Sequence, residues 1–117
     1  MRTSAKKSSP RHPSELRAAR WYRLRAYRIL DANCWAGGYE LDLVVRRGRT
    51  VVFCEVKQKS GDRFGDPAEM VTPEKQRRVR RAAAAWLAAR PAMRGLVVRF
   101  DVVAVSPAGL RRISGAF

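Results

Sequence analysis

The sequence predicts an α/β fold, a mixed sheet flanked by helices, from three observations. Two segments with helical periodicity and capping signals begin near Ser14 and Thr72. Extended segments with period-two alternation lie between them, centred on a hairpin over 39–59. A strongly apolar run, Leu96 to Val105, follows the second helix.

Residues 1–13 carry Arg2, Lys6, Lys7 and Arg11 with two prolines and no acid, which predicts a disordered basic tail ahead of one domain over 14–117. His12, the only histidine, is expected to be idle there. Ser14 reads as an N-cap with Glu15 in the first turn, and Ala18, Ala19 and Tyr22 share a face to about Arg25. Tyr27 to Ala32 is expected to be a first strand, and Ala36-Gly37-Gly38 a turn. Tyr39–Arg46 and Thr50–Lys59 form the hairpin about Arg47-Gly48, and 61–66 is a polar loop. Thr72 caps the second helix, with Pro73 at its first position and Glu74 in its first turn. Its apolar stripe is Val79, Ala82, Ala83, Trp86 and Leu87, and Pro91 ends it. Ile113 to Phe117 is expected to add a short last strand.

The chain has 117 residues, 46% of them hydrophobic, which suffices for one core. Lys and Arg total 25 against 10 Asp and Glu, a formal charge of +15, and arginines outnumber lysines 20 to 5. Such a surplus favours phosphate backbones, with the guanidinium fork suited to bidentate contacts. No apolar run approaches the roughly 18 residues of a membrane span, and no secretory signal is evident, so a cytoplasmic protein without membrane contact is expected. Cys34 and Cys54 are too few for a disulfide scaffold or a four-cysteine zinc site. There is no Ser/His/Asp or Cys/His constellation and no glycine-rich phosphate loop. Trp86 and Trp21 are expected to pack, which leaves Trp35 as the candidate for base stacking.

The hairpin holds the informative residues. Asp, Glu and Lys are poor strand formers, so Glu40, Asp42, Glu55 and Lys57 in mid-strand need a reason. A turn at Arg47-Gly48 pairs Asp42 with Phe53 and Glu40 with Glu55. That register puts Leu41, Leu43, Val45, Val52, Cys54 and Val56 on one face and gathers the charged residues on the other. Three carboxylates so close repel, unless a cation joins them or one takes a proton. Mg²⁺ resolves the conflict, since it binds one or two carboxylates together with waters and phosphate oxygens. Lys57 on the same face would steer water or neutralise developing charge. The plainer alternative is a solvated hairpin face whose charges merely pair.

Asp42 followed by Glu55-Val56-Lys57 resembles the signature of the PD-(D/E)xK nuclease superfamily. More of the chain is similar to the YraN-like family of small bacterial predicted endonucleases, related to Holliday-junction resolvases. The likeness runs through Ser14 to Ala18, Tyr27 to Leu30, Glu40 to Val44, Val52 to Lys57, Phe64-Gly65, Val71 to Arg78 and Ala116-Phe117. Tyr39, Ser14 and Ala26 stand where that family usually has glycine. The resemblance implies a restriction-endonuclease-like fold and Mg²⁺ or Mn²⁺ held by Asp42 and Glu55, with the Val56 carbonyl as a third ligand. Lys57 would be the catalytic lysine, Glu15 would complete the site and Glu40 would help hold metal. Lys75, at a helix N-terminus, would contact phosphate, and Arg63, Arg77, Arg78 and Arg81 supply basic surface for nucleic acid. The expected function is a Mg²⁺-dependent endonuclease acting on DNA rather than RNA, branched DNA included, with a homodimer supplying two sites. A non-catalytic nucleic-acid-binding module is the alternative, and an adaptor for another protein the third.

Overall fold

The computed structural model describes residues 10–59 and 71–117. Its elements are α1 (Pro13–Arg23), β1 (Arg28–Ala36), β2 (Tyr39–Arg47), β3 (Thr50–Gln58), α2 (Pro73–Ala88), a 3₁₀ turn (Pro91–Met93), β4 (Val97–Ser106) and β5 (Gly109–Ile113). The strands form one sheet in the order β1-β2-β3-β4-β5. β3 and β4 run parallel and every other neighbouring pair antiparallel. The architecture is the expected α/β one, a mixed sheet between helices, consistent with a restriction-endonuclease-like fold. Among the described residues no helix is long and apolar enough to cross a membrane.

Each helix covers one face. Ala18, Ala19 and Tyr22 of α1 pack on Leu43, Val45, Val52, Cys54 and Val103. Val79, Ala82, Ala83 and Trp86 of α2 pack on Val44, Val51, Phe53 and Phe100. Cys54 is thus the small buried hydrophobe its strand face implied. Trp35 remains 74% exposed, as a stacking residue requires.

The ends of elements depart from the sequence reading in four places. α1 begins at Pro13, and its N-cap is His12 rather than Ser14. Proline's fixed φ suits the first helical position, which hands the cap to the residue before it. His12 Nδ1 accepts from the Ser14 N–H at 3.3 Å, and Glu15 accepts in return from the His12 N–H at 3.3 Å. The first strand begins at Arg28 and runs on to Ala36. The final strand is Gly109–Ile113, because a turn at Pro107-Ala108 folds it straight back on β4, and Phe117 stacks on Phe100 instead.

The fourth departure is the hairpin register. Arg47 pairs with Thr50, so the turn residues are Gly48 and Arg49 and every pair is displaced by two from the expected register. Gly48 takes φ +60°, which a two-residue hairpin turn demands at its first central position. A displacement of two preserves the parity of the faces. Even so, the apolar face is not continuous: Leu41 crosses to the α2 core while Leu43 stays in the α1 core. Nor is the opposite face wholly polar, since α2 buries Val44 and Phe53 there.

Gly37, in the β1–β2 turn, fixes α2 against the sheet. Its φ is +55°, and a Cβ there would lie 3.0 Å from the Arg81 carbonyl oxygen and 3.2 Å from the Ala82 Cα. Both contacts are backbone, so neither yields to a rotamer change. Gly37→Ala is expected to destabilise the fold by about 2–4 kcal/mol, from left-handed strain plus overpacking. Urea unfolding with an unchanged m-value checks it.

Candidate functional site

The last β2–β3 pair before the site is Leu43 with Cys54. Beyond it the Asp42 Oδ2 accepts the Val56 N–H at 2.9 Å, a side chain joining the strands where the paired register stops. Asp42 and Glu55 therefore face each other where alternation breaks, at the end of the sheet away from the Gly48 turn.

Glu55 is buried at 5% exposure. Its Oε2 lies 3.2 Å from Lys75 Nζ and 3.8 Å from Lys57 Nζ, and it accepts the Tyr39 hydroxyl at 3.3 Å. Burial and then the charge of Glu55 push the Asp42 carboxyl up to about 7, against the opposing pull of the Val56 N–H; Glu15 adds to the rise. Burial and the neighbouring Lys75 lower the Lys57 ammonium. Burial also works against the charge of Lys75, but its bond with Lys57 and the charge of Glu55 hold it above the usual lysine range. Burial and Glu55 raise the Tyr39 phenol to about 12, so it stays a hydrogen-bond donor.

The structure brings together Asp42, Glu55, Lys57 and Lys75, with Glu15 at their side. It does not bring in Glu40, whose exposed carboxylate lies 3.8 Å from Arg11. The expected gathering fails there because the β2–β3 register, displaced by two, sets Asp42 rather than Glu40 at the level of Glu55. Glu15 Oε1 closes the α1 capping box, while its side chain lines the cleft beside Asp42 and its charge helps raise the Asp42 carboxyl. Arg77, Arg78 and Arg81 are exposed along α2, and Arg78 pairs with Glu74 at 2.9 Å. Arg63 lies outside the described residues, as do Phe64 and Gly65.

Three lining residues escaped the sequence reading. A cleft of about 240 Å³ is walled by His12, Ser14, Glu15, Asp42, Val56 and Gln58. Gln58 continues the alternation from Val56, which is the signal for it; His12 and Ser14 arrive only through the start of α1. The buried acids Asp31 and Asp101 were also missed, and both are structural. Asp31 accepts from Trp86 Nε1 at 3.0 Å and pairs with Arg90 at 3.3 Å. Asp101 is bound by Tyr22, Arg99 and Arg112.

Among the described residues no three His, Cys, Asp or Glu side chains converge as a metal cage. Asp42 and Glu55, with the Val56 carbonyl that the resemblance implies as a third ligand, would make a sparse hard-oxygen set. Such a set fits Mg²⁺ or Mn²⁺, which completes its shell with waters and substrate oxygens, and does not fit zinc. The fit rests on Asp42, a carboxylate held beside Glu55 that accepts the Val56 N–H.

A family model described as "Uncharacterised protein family UPF0102" matches residues 14–105. A UPF0102 protein of Frankia casuarinae is 50% identical over 94 residues, covering 76% of this chain and 79% of its own length. One from Geobacter sulfurreducens is 47% identical over 92 residues, covering 79% and 70%. One from Klebsiella pneumoniae is 38% identical over 104 residues, covering 88% and 81%.

Proposed function

This chain belongs to the UPF0102 family, the YraN-like family of the sequence resemblance, and from that premise we propose that it is a metal-dependent endonuclease hydrolysing phosphodiester bonds of DNA, branched DNA included. The observation that carries the reading is the convergence of Asp42, Glu55 and Lys57 where the β2–β3 pairing stops. Asp42 and Glu55, with the Val56 carbonyl, would hold Mg²⁺ or Mn²⁺. The ion, when bound, would polarise the phosphate and lower the pKa of a water.

The chain's own residues do the rest. Lys57, shifted toward its neutral form, can orient the attacking water or meet charge developing on phosphate. Tyr39 holds Glu55 in place through its hydroxyl. The exposed Arg77 and Arg81 provide salt-dependent contacts to the backbone.

A second reading is a nucleic-acid-binding module without catalysis. Lys75 favours it: at 3.2 Å it already neutralises Glu55 as an inorganic cation would. Incubating the protein with four-way and linear DNA, with Mg²⁺ or Mn²⁺, decides between them. The expected result is metal-dependent cleavage that Lys57→Ala reduces by about 10²–10³-fold. Binding with no cleavage under either metal selects the module.

A further inference from the structure

The end of the sheet opposite Asp42 and Glu55 carries a second concentration of charge that the proposed site does not use. A pocket of about 360 Å³ is lined there by Ala26, Arg28, Arg46, Arg47 and Gly48. Arg28 and Arg46 are directly opposed partners across β1 and β2. Directly opposed like charges destabilise a sheet, so an anion bound between them would relieve their repulsion. Among the described residues none of the three arginines has a carboxylate partner.

Two of the guanidinium groups are already held in place. Arg46 Nε donates to the Gly48 carbonyl at 2.9 Å. Arg47 donates to the Arg25 carbonyl at 3.0 Å and lies over the Tyr27 ring at 4.4 Å. Each such bond occupies one of the five N–H donors and leaves the others for a ligand. Guanidinium forks held in this way lose little freedom when they bind an anion.

We infer that the hairpin end is a second phosphate-binding surface, formed by Arg28, Arg46 and Arg47, that engages the backbone of nucleic acid. The inference rests on the proposed nucleic-acid partner and adds a second place where that partner is held. Along the strands the pocket lies four to five residues from the Asp42 level, roughly 13–17 Å at 3.3 Å per residue. That distance spans about four or five phosphates of one strand at 3.4 Å each, so one duplex can reach both places. A nucleic-acid backbone suits the pocket better than an anionic membrane, because its lining offers only Ala26 as an apolar side chain.

The test measures binding of a labelled 30-base-pair duplex without divalent metal, over a range of KCl concentrations. Each lost phosphate contact lowers the slope of log Kd against log salt by about 0.9. Arg28→Ala/Arg47→Ala is expected to lower the slope by about 1.8 and to weaken binding about tenfold at 100 mM salt. Replacing both by lysine should restore the slope. Should loss of the Arg47 contacts unfold the double variant, the exposed Arg28→Ala alone is expected to lower the slope by about 0.9.

An unchanged slope and affinity in these variants overturns the inference. So does binding to phosphatidylserine vesicles that depends on Arg28 and Arg47 while duplex binding does not. Failure of the enzymatic reading looks different. A protein that never cleaves but shows the Arg28-dependent slope keeps this surface, whereas one that cleaves with an unaltered slope loses only this surface.

Discussion

Asp42→Asn is expected to yield a more stable protein with almost no cleavage. Asn keeps an oxygen to accept the Val56 N–H, so the joint between β2 and β3 survives. What disappears is a charge the fold opposes: burial and Glu55 raise the Asp42 carboxyl to about 7 from an ordinary value of 3.8. A raised carboxyl penalises folding as pH climbs above the unfolded value, and the penalty is complete above the folded one. The shift itself corresponds to about 4 kcal/mol. Solvent screening and the shared titration with Glu55 reduce the expected gain to about 1–2 kcal/mol.

Urea unfolding should therefore show Asp42→Asn more stable than wild type at pH 8 and nearly equal to it at pH 4. Cleavage should fall by about three orders of magnitude. Mg²⁺ should raise the Tm of the wild type and leave that of the variant unmoved. A variant that is less stable at pH 8, or that cleaves like wild type, would sink the metal-site reading.

Asp101→Asn is expected to be the most damaging conservative change for stability. Asp101 is fully buried in β4. It takes Arg99 at 2.8 and 2.9 Å, the Tyr22 hydroxyl at 2.7 Å and the Gly115 N–H at 3.2 Å, with Arg112 at 3.4 Å. Removing its charge leaves Arg99 and Arg112 without their counter-ion, a loss of about 3–5 kcal/mol. For a chain of this size the Tm should fall by at least about 10 °C.

Burial alone would raise the Asp101 carboxyl, but the bonds from Arg99, Tyr22 and Gly115 hold it below the usual range. Its contribution is thus complete above about pH 4 and is lost as pH falls through the lowered folded value. The difference between wild type and Asp101→Asn should shrink in acid; a constant difference from pH 7 to pH 2 would refute the assignment.

Much of this was legible in the sequence for definable reasons. The faces of the hairpin follow from parity near the turn, over 43–45 and 51–54, because a register displaced by two keeps the period of the strand; beyond it Leu41 changes face. The start of α2 was readable because Thr72 and Pro73 act locally, and Lys75 N–H does donate to Thr72 Oγ1. What stayed hidden depends on partners distant in sequence. Asp31 and Asp101 read as polar residues in strands until Trp86, Arg90, Tyr22 and Arg99 arrive from other elements. Glu40 has the same chemistry and alternation as Asp42; the register of β2 against β3 separates them. His12 had no local signal beyond the proline after it.

Among the described residues, the order β1-β2-β3-β4-β5 leaves β1 and β5 each with one rim to which no further strand is paired. An unpaired rim is a template for adding strands from other molecules. β5 spans five residues and carries Arg111 and Arg112, while β1 breaks register between Ile29 and Asp31. A short charged rim and a kinked one both resist edge-to-edge growth into fibres. The cationic excess that attracts phosphate thus also keeps copies of the sheet from joining end to end.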